Sequence, residues 1–169
     1  MPRPAGTGRI TFGIDPGVAS TGIGVVSEVD REYRCLGYDC IRTYPDEPFV
    51  RRLVRLNAEC VKAIRKHRPD SVAMERLFFA RNAKTAIAVG QAQGALLLAA
   101  AKCGLDVVFY TPNEVKSAVT GDGSSDKAGV ALMVQKILGL KEIPKPDDAA
   151  DALAIAYCHL VSTGSQGRR

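Results

Sequence analysis

Apolar residues at Ile10, Phe12 and Ile14 alternate with Thr11 and Gly13, the period of a strand with one buried face. The alternation stops at Asp15-Pro16-Gly17. A Pro-Gly pair breaks a strand ladder, so the Asp15 carboxylate is expected at the C-terminal edge of a sheet. Small residues follow from Ala19 to Gly24, and a second apolar run begins at Val25. Tyr33 to Thr43 reads as a third strand, which makes an antiparallel start that Pro45 and Pro48 end. From Phe49 to Arg68 the period becomes helical. Leu53, Leu56, Cys60 and Ile64 share one face and Arg51, Arg55, Lys62 and Lys66 the opposite one, a basic row that reads as solvated surface. Pro69 stops this helix, and 70–75 is a short apolar strand that again ends on an acid, Glu75. A helix before this strand and another after it predict a crossover unit, parallel to the first strand.

Asn82 to Lys102 is a long helix with no charged residue between Lys84 and Lys102. It falls short of a membrane span and is diluted by Gly90, Gln91, Gln93 and Gly94, so it is expected to be buried on two sides. One side covers the sheet. The other meets either a partner subunit or more of the same chain, and the pattern does not choose. Asp106 to Tyr110 is a fifth strand. Thr111 is an expected N-cap, with Pro112 first and Glu114 third in a helix through Val119. A loop at 121–125 precedes a helix that starts at Ser125 or Asp126 and runs to about Leu138. After the stiff Pro144-Lys145-Pro146, Asp147 or Asp148 is expected to cap the last helix, which carries Ala149, Leu153, Ile155, Ala156 and Leu160.

At 169 residues, 46% hydrophobic and 24% charged, the chain suits one globular domain with a sizeable core. Its expected bounds are 9–161, between a flexible leader at 1–8 and a flexible tail at 162–169. The net charge of +5 comes from one helix: residues 51–68 hold seven Lys or Arg and one acid, leaving 16 basic and 17 acidic residues elsewhere. This is only a weak pointer to nucleic acid. Five scattered cysteines, an odd number without a CxxC pair or signal peptide, suggest reduced thiols in the cytoplasm. His67 and His159 form no spaced metal pair, and the absence of a GxxxxGK[ST] motif speaks against a P-loop nucleotidase.

Four acids change this picture. Asp148 and Asp151 are three residues apart, so they share one helix face with Cβ atoms about 5–6 Å apart. Acids are also common at helix N-termini for dipole reasons alone, but the Ala149, Ala150, Ala152 and Leu153 around them suggest a tightly packed helix. Asp15 and Glu75 each end a strand. On parallel neighbours they project from one edge about 4.8 Å apart, where open α/β sheets place their sites. Convergent carboxylates repel one another without a cation, and hard oxygen donors select Mg²⁺ or Mn²⁺. Two such ions about 3.5–4 Å apart can activate water and stabilise the leaving oxygen of a phosphodiester.

Gly13-Ile14-Asp15-Pro16-Gly17, Glu75-Arg76-Leu77-Phe78, Gly90-Gln91-Ala92-Gln93-Gly94, Val115-Lys116 and the run from Asp148 to Ala156 together resemble the RuvC Holliday-junction resolvases, in order and over nearly the whole chain. The resemblance implies an α/β, RNase H-like fold: a mixed five-stranded sheet flanked by helices on both faces. It implies a homodimer that nicks two strands of like polarity in four-way junction DNA, leaving 5′-phosphate and 3′-hydroxyl ends; the small-residue surface of the 82–102 helix is the interface we expect for it. The RuvA–RuvB branch-migration complex is an implied partner. Asp15, Glu75, Asp148 and Asp151 match the family's catalytic, metal-binding acids, which take two Mg²⁺ ions with Mn²⁺ as a substitute. Lys116 and Lys127 match basic residues beside the metals that hold the scissile phosphate. Phe78 matches an aromatic that stacks on bases near the crossover, with Phe79 and Arg81 on the same DNA-facing loop. Arg76, where the family commonly has Gln, and Asp122 are departures. An RNA-processing nuclease of the same fold, and a junction-binding module without activity, remain alternatives.

Overall fold

The computed structural model describes residues 8–76 and 83–164. Its elements are β1 (Arg9–Asp15), β2 (Ser20–Val29), β3 (Glu32–Arg42), α1 (Phe49–His67), β4 (Ser71–Glu75), α2 (Ala83–Lys102), β5 (Val107–Tyr110), α3 (Pro112–Thr120), α4 (Lys127–Ile137) and α5 (Asp147–Gly164). They build one sheet in the order β3-β2-β1-β4-β5. The first three strands are antiparallel, whereas β4 runs parallel to both β1 and β5. The crossover through α1 thus brings β4 beside β1, as the helix–strand–helix pattern predicts.

Period-two alternation divides β1 between two cores. Ile10, Phe12 and Ile14 pack with Leu56, Cys60 and Ile64 of α1 and with Ala92, Leu96, Ala99 and Ala100 of α2. On the other face, Val26 and Ala73 meet Val115 and Val119 of α3, Val130 and Val134 of α4, and Leu153, Ala154, Ile155 and Ala156 of α5. Helices therefore cover both faces of the mixed sheet.

The second face contains a glycine patch that sets the height of α5. Gly13 pairs with Gly24, and Asp15 with Gly22. A Cβ on Gly13 would lie 2.1 Å from the Ala152 carbonyl oxygen, and one on Gly24 would lie 2.4 Å from the Leu153 nitrogen. A helix can approach a sheet this closely only where the strands have no side chains. The alanines of α5 supply the matching small surface.

This patch also corrects the expected strand boundary. The second strand begins at Ser20, not at the Val25 apolar run. Gly22 and Gly24 have low strand propensity, and contact with α5 rather than propensity holds them extended. Two further boundaries differ. Helix α5 begins at Asp147, so Asp147 and Asp148 both lie in its first turn instead of capping it. It also continues to Gly164, past the expected end of the domain at 161. Near that end, the Arg9 guanidinium donates to Thr163 Oγ1 at 2.9 Å and to the Leu160 carbonyl at 3.0 Å, which ties it to β1. The α3 start follows expectation: Thr111 Oγ1 accepts from the Glu114 amide, and the Glu114 carboxylate accepts from the Thr111 amide. The α4 N-cap is Asp126, which accepts from the Gly129 amide at 2.8 Å.

Candidate active site

The C-terminal ends of β1 and β4 and the first turn of α5 meet at one edge of the sheet. The β1–β4 register pairs Ile14 with Met74, so Asp15 and Glu75 are consecutive in the two ladders and leave the sheet side by side. From above, α5 brings Asp148 and Asp151 down onto them. Asp15, Asp148 and Asp151 each offer an oxygen within 4.8 Å of the others'. Glu75 stands outside that trio but shares a cavity of about 390 Å³ with Asp15, Asp151, Lys116 and Lys127. Pro112, Val115, Val130 and Ile155 form its apolar walls.

The charges are packed against their own preference. Burial is the main cause raising the Asp15 carboxyl well above the usual range, and Glu75, Asp151 and Asp148 push it further. Burial, then the Asp151 charge, raises Glu75, while Lys127 and Lys116 oppose the shift. Asp151 is raised mainly by burial and held back by Lys127, whose Nζ lies 2.7 Å from its Oδ2. That hydrogen bond in turn raises the Lys127 ammonium, with Asp151, Asp15 and Asp148 adding to it, so the lysine stays charged. An all-oxygen donor set with surplus negative charge fits a hard divalent cation, Mg²⁺ or Mn²⁺. Asp15, Asp148 and Asp151 would hold such an ion, with Glu75 beside them.

The helices α3 and α4 each contribute one lysine to the rim. The Thr111–Glu114 cap orients α3 so that Lys116 lines the cavity. Lys127 is the first residue of α4, a position where the helix dipole disfavours a cation, and the carboxylates opposite offset that cost. The structure thus brings Asp15, Glu75, Asp148, Asp151, Lys116 and Lys127 to one edge. Phe78, Phe79 and Arg81 lie outside the described residues.

Two neighbours of the acids are not evident in the sequence. Ser20 Oγ donates to Asp148 Oδ2. Cys40 Sγ lies 2.7 Å from Ser20 Oγ and 3.9 Å from Asp148 Oδ2. More than a hundred residues separate these β2 and β3 side chains from Asp148, so no local spacing announces them. All five cysteines are free thiols, in keeping with their scattered positions.

A mixed sheet of this order, with acids at the ends of its first and fourth strands and on a helix packed across it, is an RNase H-like fold bearing a clustered acidic site. Within that class, the family model for crossover junction endodeoxyribonuclease RuvC matches residues 11–159, and the chain belongs to this family. It is 48% identical over 160 residues to the crossover junction endodeoxyribonuclease RuvC of Desulforamulus reducens, covering 95% of this chain and 98% of that one. The Moorella thermoacetica protein is 52% identical, over 89% of this chain and 90% of its own length. Among solved structures, Thermus thermophilus RuvC in complex with Holliday junction substrate is 42% identical at a TM-score of 0.88, covering 94% of this chain and 96% of that one. The yeast mitochondrial Holliday junction resolvase, 15% identical at a TM-score of 0.64 over 95% of this chain and 85% of that one, shares the fold.

Proposed function

We propose that this chain resolves four-way DNA junctions by paired, Mg²⁺-dependent nicks in strands of like polarity, leaving 5′-phosphate and 3′-hydroxyl ends. The supporting observation is the convergence of Asp15, Glu75, Asp148 and Asp151 at a cavity whose rim carries Lys116 and Lys127. Bound divalent cations, two per site in this reading, would supply Lewis-acid stabilisation of the charge that develops on the phosphate. The protein's own part is positional. The acids hold the ions, and the two ammonium groups neutralise phosphate oxygens as a strand enters the cavity. Because Lys127 is paired with Asp151, it must release that carboxylate, at least in part, to reach a phosphate. Phe78, Phe79 and Arg81 are proposed to hold bases near the crossover. The deciding assay compares a synthetic four-way junction, duplex DNA and an RNA–DNA hybrid, each with Mg²⁺ and with chelator. Metal-dependent nicks confined to the junction are expected. Cleavage of the hybrid instead would favour RNA processing, and binding without cleavage a non-catalytic module.

Lys127→Ala removes a phosphate contact and also the cation that holds Asp151 and Asp15 down. Single-turnover cleavage is expected to slow by roughly a hundredfold, the usual cost of losing one preorganised charge partner. Junction affinity should change little, since many other phosphate contacts remain. The acid limb of the pH–rate profile should move to higher pH, because carboxyls without their lysine ionise later. An unmoved limb with weaker binding would make Lys127 a docking residue only. Lys116→Ala should slow cleavage in the same sense.

The partner at α2 is proposed to be a second copy of the chain. Ile87, Gly90, Gly94 and Leu98 fall in one helical stripe; Ile87 is 73% exposed and Leu98 53% exposed. A Cβ on Gly90 or Gly94 would meet nothing within 4 Å, so this stripe faces away from its own fold. A two-fold dimer would match the two equivalent strands of a junction. Gly94→Arg places an unpaired charge in that contact, at a cost of several kcal/mol. Sedimentation should then show a dimer for the wild type at micromolar concentration and a monomer for the variant. The RuvA–RuvB branch-migration complex is the proposed partner on DNA. No helix among the described residues is long and apolar enough to cross a membrane, and a cytoplasmic location is proposed.

A further inference from the structure

We infer that Ser20 is a positioning residue for Asp148: its hydroxyl, itself oriented by the Cys40 thiol, fixes the carboxylate in the orientation that holds a divalent cation. The inference rests on the reading of the four acids as a cation site. The direction of each hydrogen bond follows from the groups involved. An ionised carboxylate only accepts, so Ser20 Oγ must donate to Asp148 Oδ2. A serine hydroxyl has one proton and spare lone pairs. With that proton committed, Ser20 can only accept from Cys40 at 2.7 Å, and the single thiol proton is shared between Ser20 Oγ and the more distant Asp148 Oδ2 at 3.9 Å. The chain Cys40→Ser20→Asp148 therefore ends on one of the three acids whose oxygens converge within 4.8 Å.

The backbone is arranged to make this contact. Ser20 is the first residue of β2, and Cys40 pairs with Gly22 two places along the ladder. At Gly22 a Cβ would fall 1.9 Å from the Asp148 carbonyl oxygen. The glycine therefore lets the first turn of α5 come down far enough for Ser20 to reach it. Each acid of the trio is steadied differently. Asp151 has the cationic Lys127, and Asp15 is set by the strand it ends. Asp148 has a neutral donor, which orients the carboxylate without cancelling the negative charge a cation needs. Hydrogen-bond partners of this kind typically alter metal affinity or activity by about 10–100-fold.

The test measures Mn²⁺ binding to the DNA-free protein by electron paramagnetic resonance, independently of catalysis. Ser20→Ala is expected to weaken Mn²⁺ binding about tenfold. It should raise the Mg²⁺ concentration for half-maximal junction cleavage by a similar factor, with most of the rate recovered at saturating Mg²⁺. Ser20→Thr keeps the hydroxyl and should bind Mn²⁺ nearly as the wild type does. Ser20→Val has the shape of threonine without the hydroxyl and should bind like Ser20→Ala. This pair also decides the matter should Ser20→Ala fold poorly. Cys40→Ala, which leaves Ser20 present but unguided, should give a smaller loss in the same direction. Equal Mn²⁺ affinity for the Thr and Val variants, or wild-type affinity in Ser20→Ala, overturns the role of Ser20 and leaves the acid site standing. A wild-type protein that binds no Mn²⁺ overturns both.

Discussion

Asp15→Asn is expected to slow junction cleavage by at least about a hundredfold while raising the melting temperature of the metal-free protein at pH 7. The first effect follows from removing the acid at the centre of the cluster. The second follows from what that acid experiences. Burial, Glu75, Asp151 and Asp148 all push the Asp15 carboxyl well above its usual range, and only Lys127 pulls it down. A carboxyl whose pKa is raised on folding adds stability below its unfolded pKa, near 3.9, and that stability is lost as pH rises through the folded value. Glu75 and Asp151 are shifted in the same direction. At neutral pH the clustered carboxyls therefore work against the fold, and Asn removes one of them at nearly constant size. Junction binding should persist or tighten, because the site repels phosphate less. Mg²⁺ should stabilise the wild type by mass action, about 2.7 kcal/mol at a hundred times its dissociation constant. The Asn variant should respond less. Calorimetric melting with and without Mg²⁺, beside single-turnover cleavage, reads all three effects. Near-normal cleavage by Asp15→Asn would rule out the proposed centre.

The same balance explains which parts of the molecule are legible in the sequence. Asp148 and Asp151 are readable because a helix repeats every 3.6 residues, so an i, i+3 pair shares a face in any fold. Asp15 and Glu75 are readable because each ends a short apolar run at a breaker or an element boundary. The Thr111–Glu114 cap is a purely local device and is equally plain. What escapes is whatever depends on two distant elements meeting. Gly22 and Gly24 read only as small residues ahead of the Val25 apolar run, because their extended conformation is stabilised by α5, whose backbone arrives from more than a hundred residues away. Ser20 has no carboxylate to donate to until that helix is in place. The α2 stripe is ambiguous for a different reason. In an alanine-rich helix both faces have nearly the same hydrophobicity, so periodicity cannot separate the buried Ala92, Leu96 and Ala99 from the exposed Ile87 and Leu98. The end of α5 was obscured because Ser162, Thr163 and Gly164 have weak helix propensity. Tertiary contacts with Arg9 are present at that end of the helix.

Gly22→Ala tests whether the glycine patch sets the spacing of the acids. Gly22 does not need a positive φ, so alanine is compatible with its backbone, and the cost arises from contact. The new methyl would sit 1.9 Å from the Asp148 carbonyl oxygen and 2.4 Å from its carbon. Both are backbone atoms of a helix packed along its length, so no side-chain rotation relieves the clash. The first turn of α5 must lift, and Asp148 moves with it. Overpacking of this kind costs about 1–3 kcal/mol, equivalent to roughly 2–12 °C in melting temperature for a domain of this size. The functional loss should exceed what stability alone predicts. A displacement of about 1 Å at a reacting centre can cost about a hundredfold in rate, and the lift also separates Asp148 from Ser20 and Asp15. Cleavage by Gly22→Ala should therefore stay low at saturating Mg²⁺ and at temperatures well below its melting point. Excess metal can fill a weakened site but cannot restore the spacing of its ligands. A variant that melts lower yet cuts normally once saturated would show that the patch serves packing alone. In that case the acids tolerate movement of α5, and their geometry is set by β1 and β4.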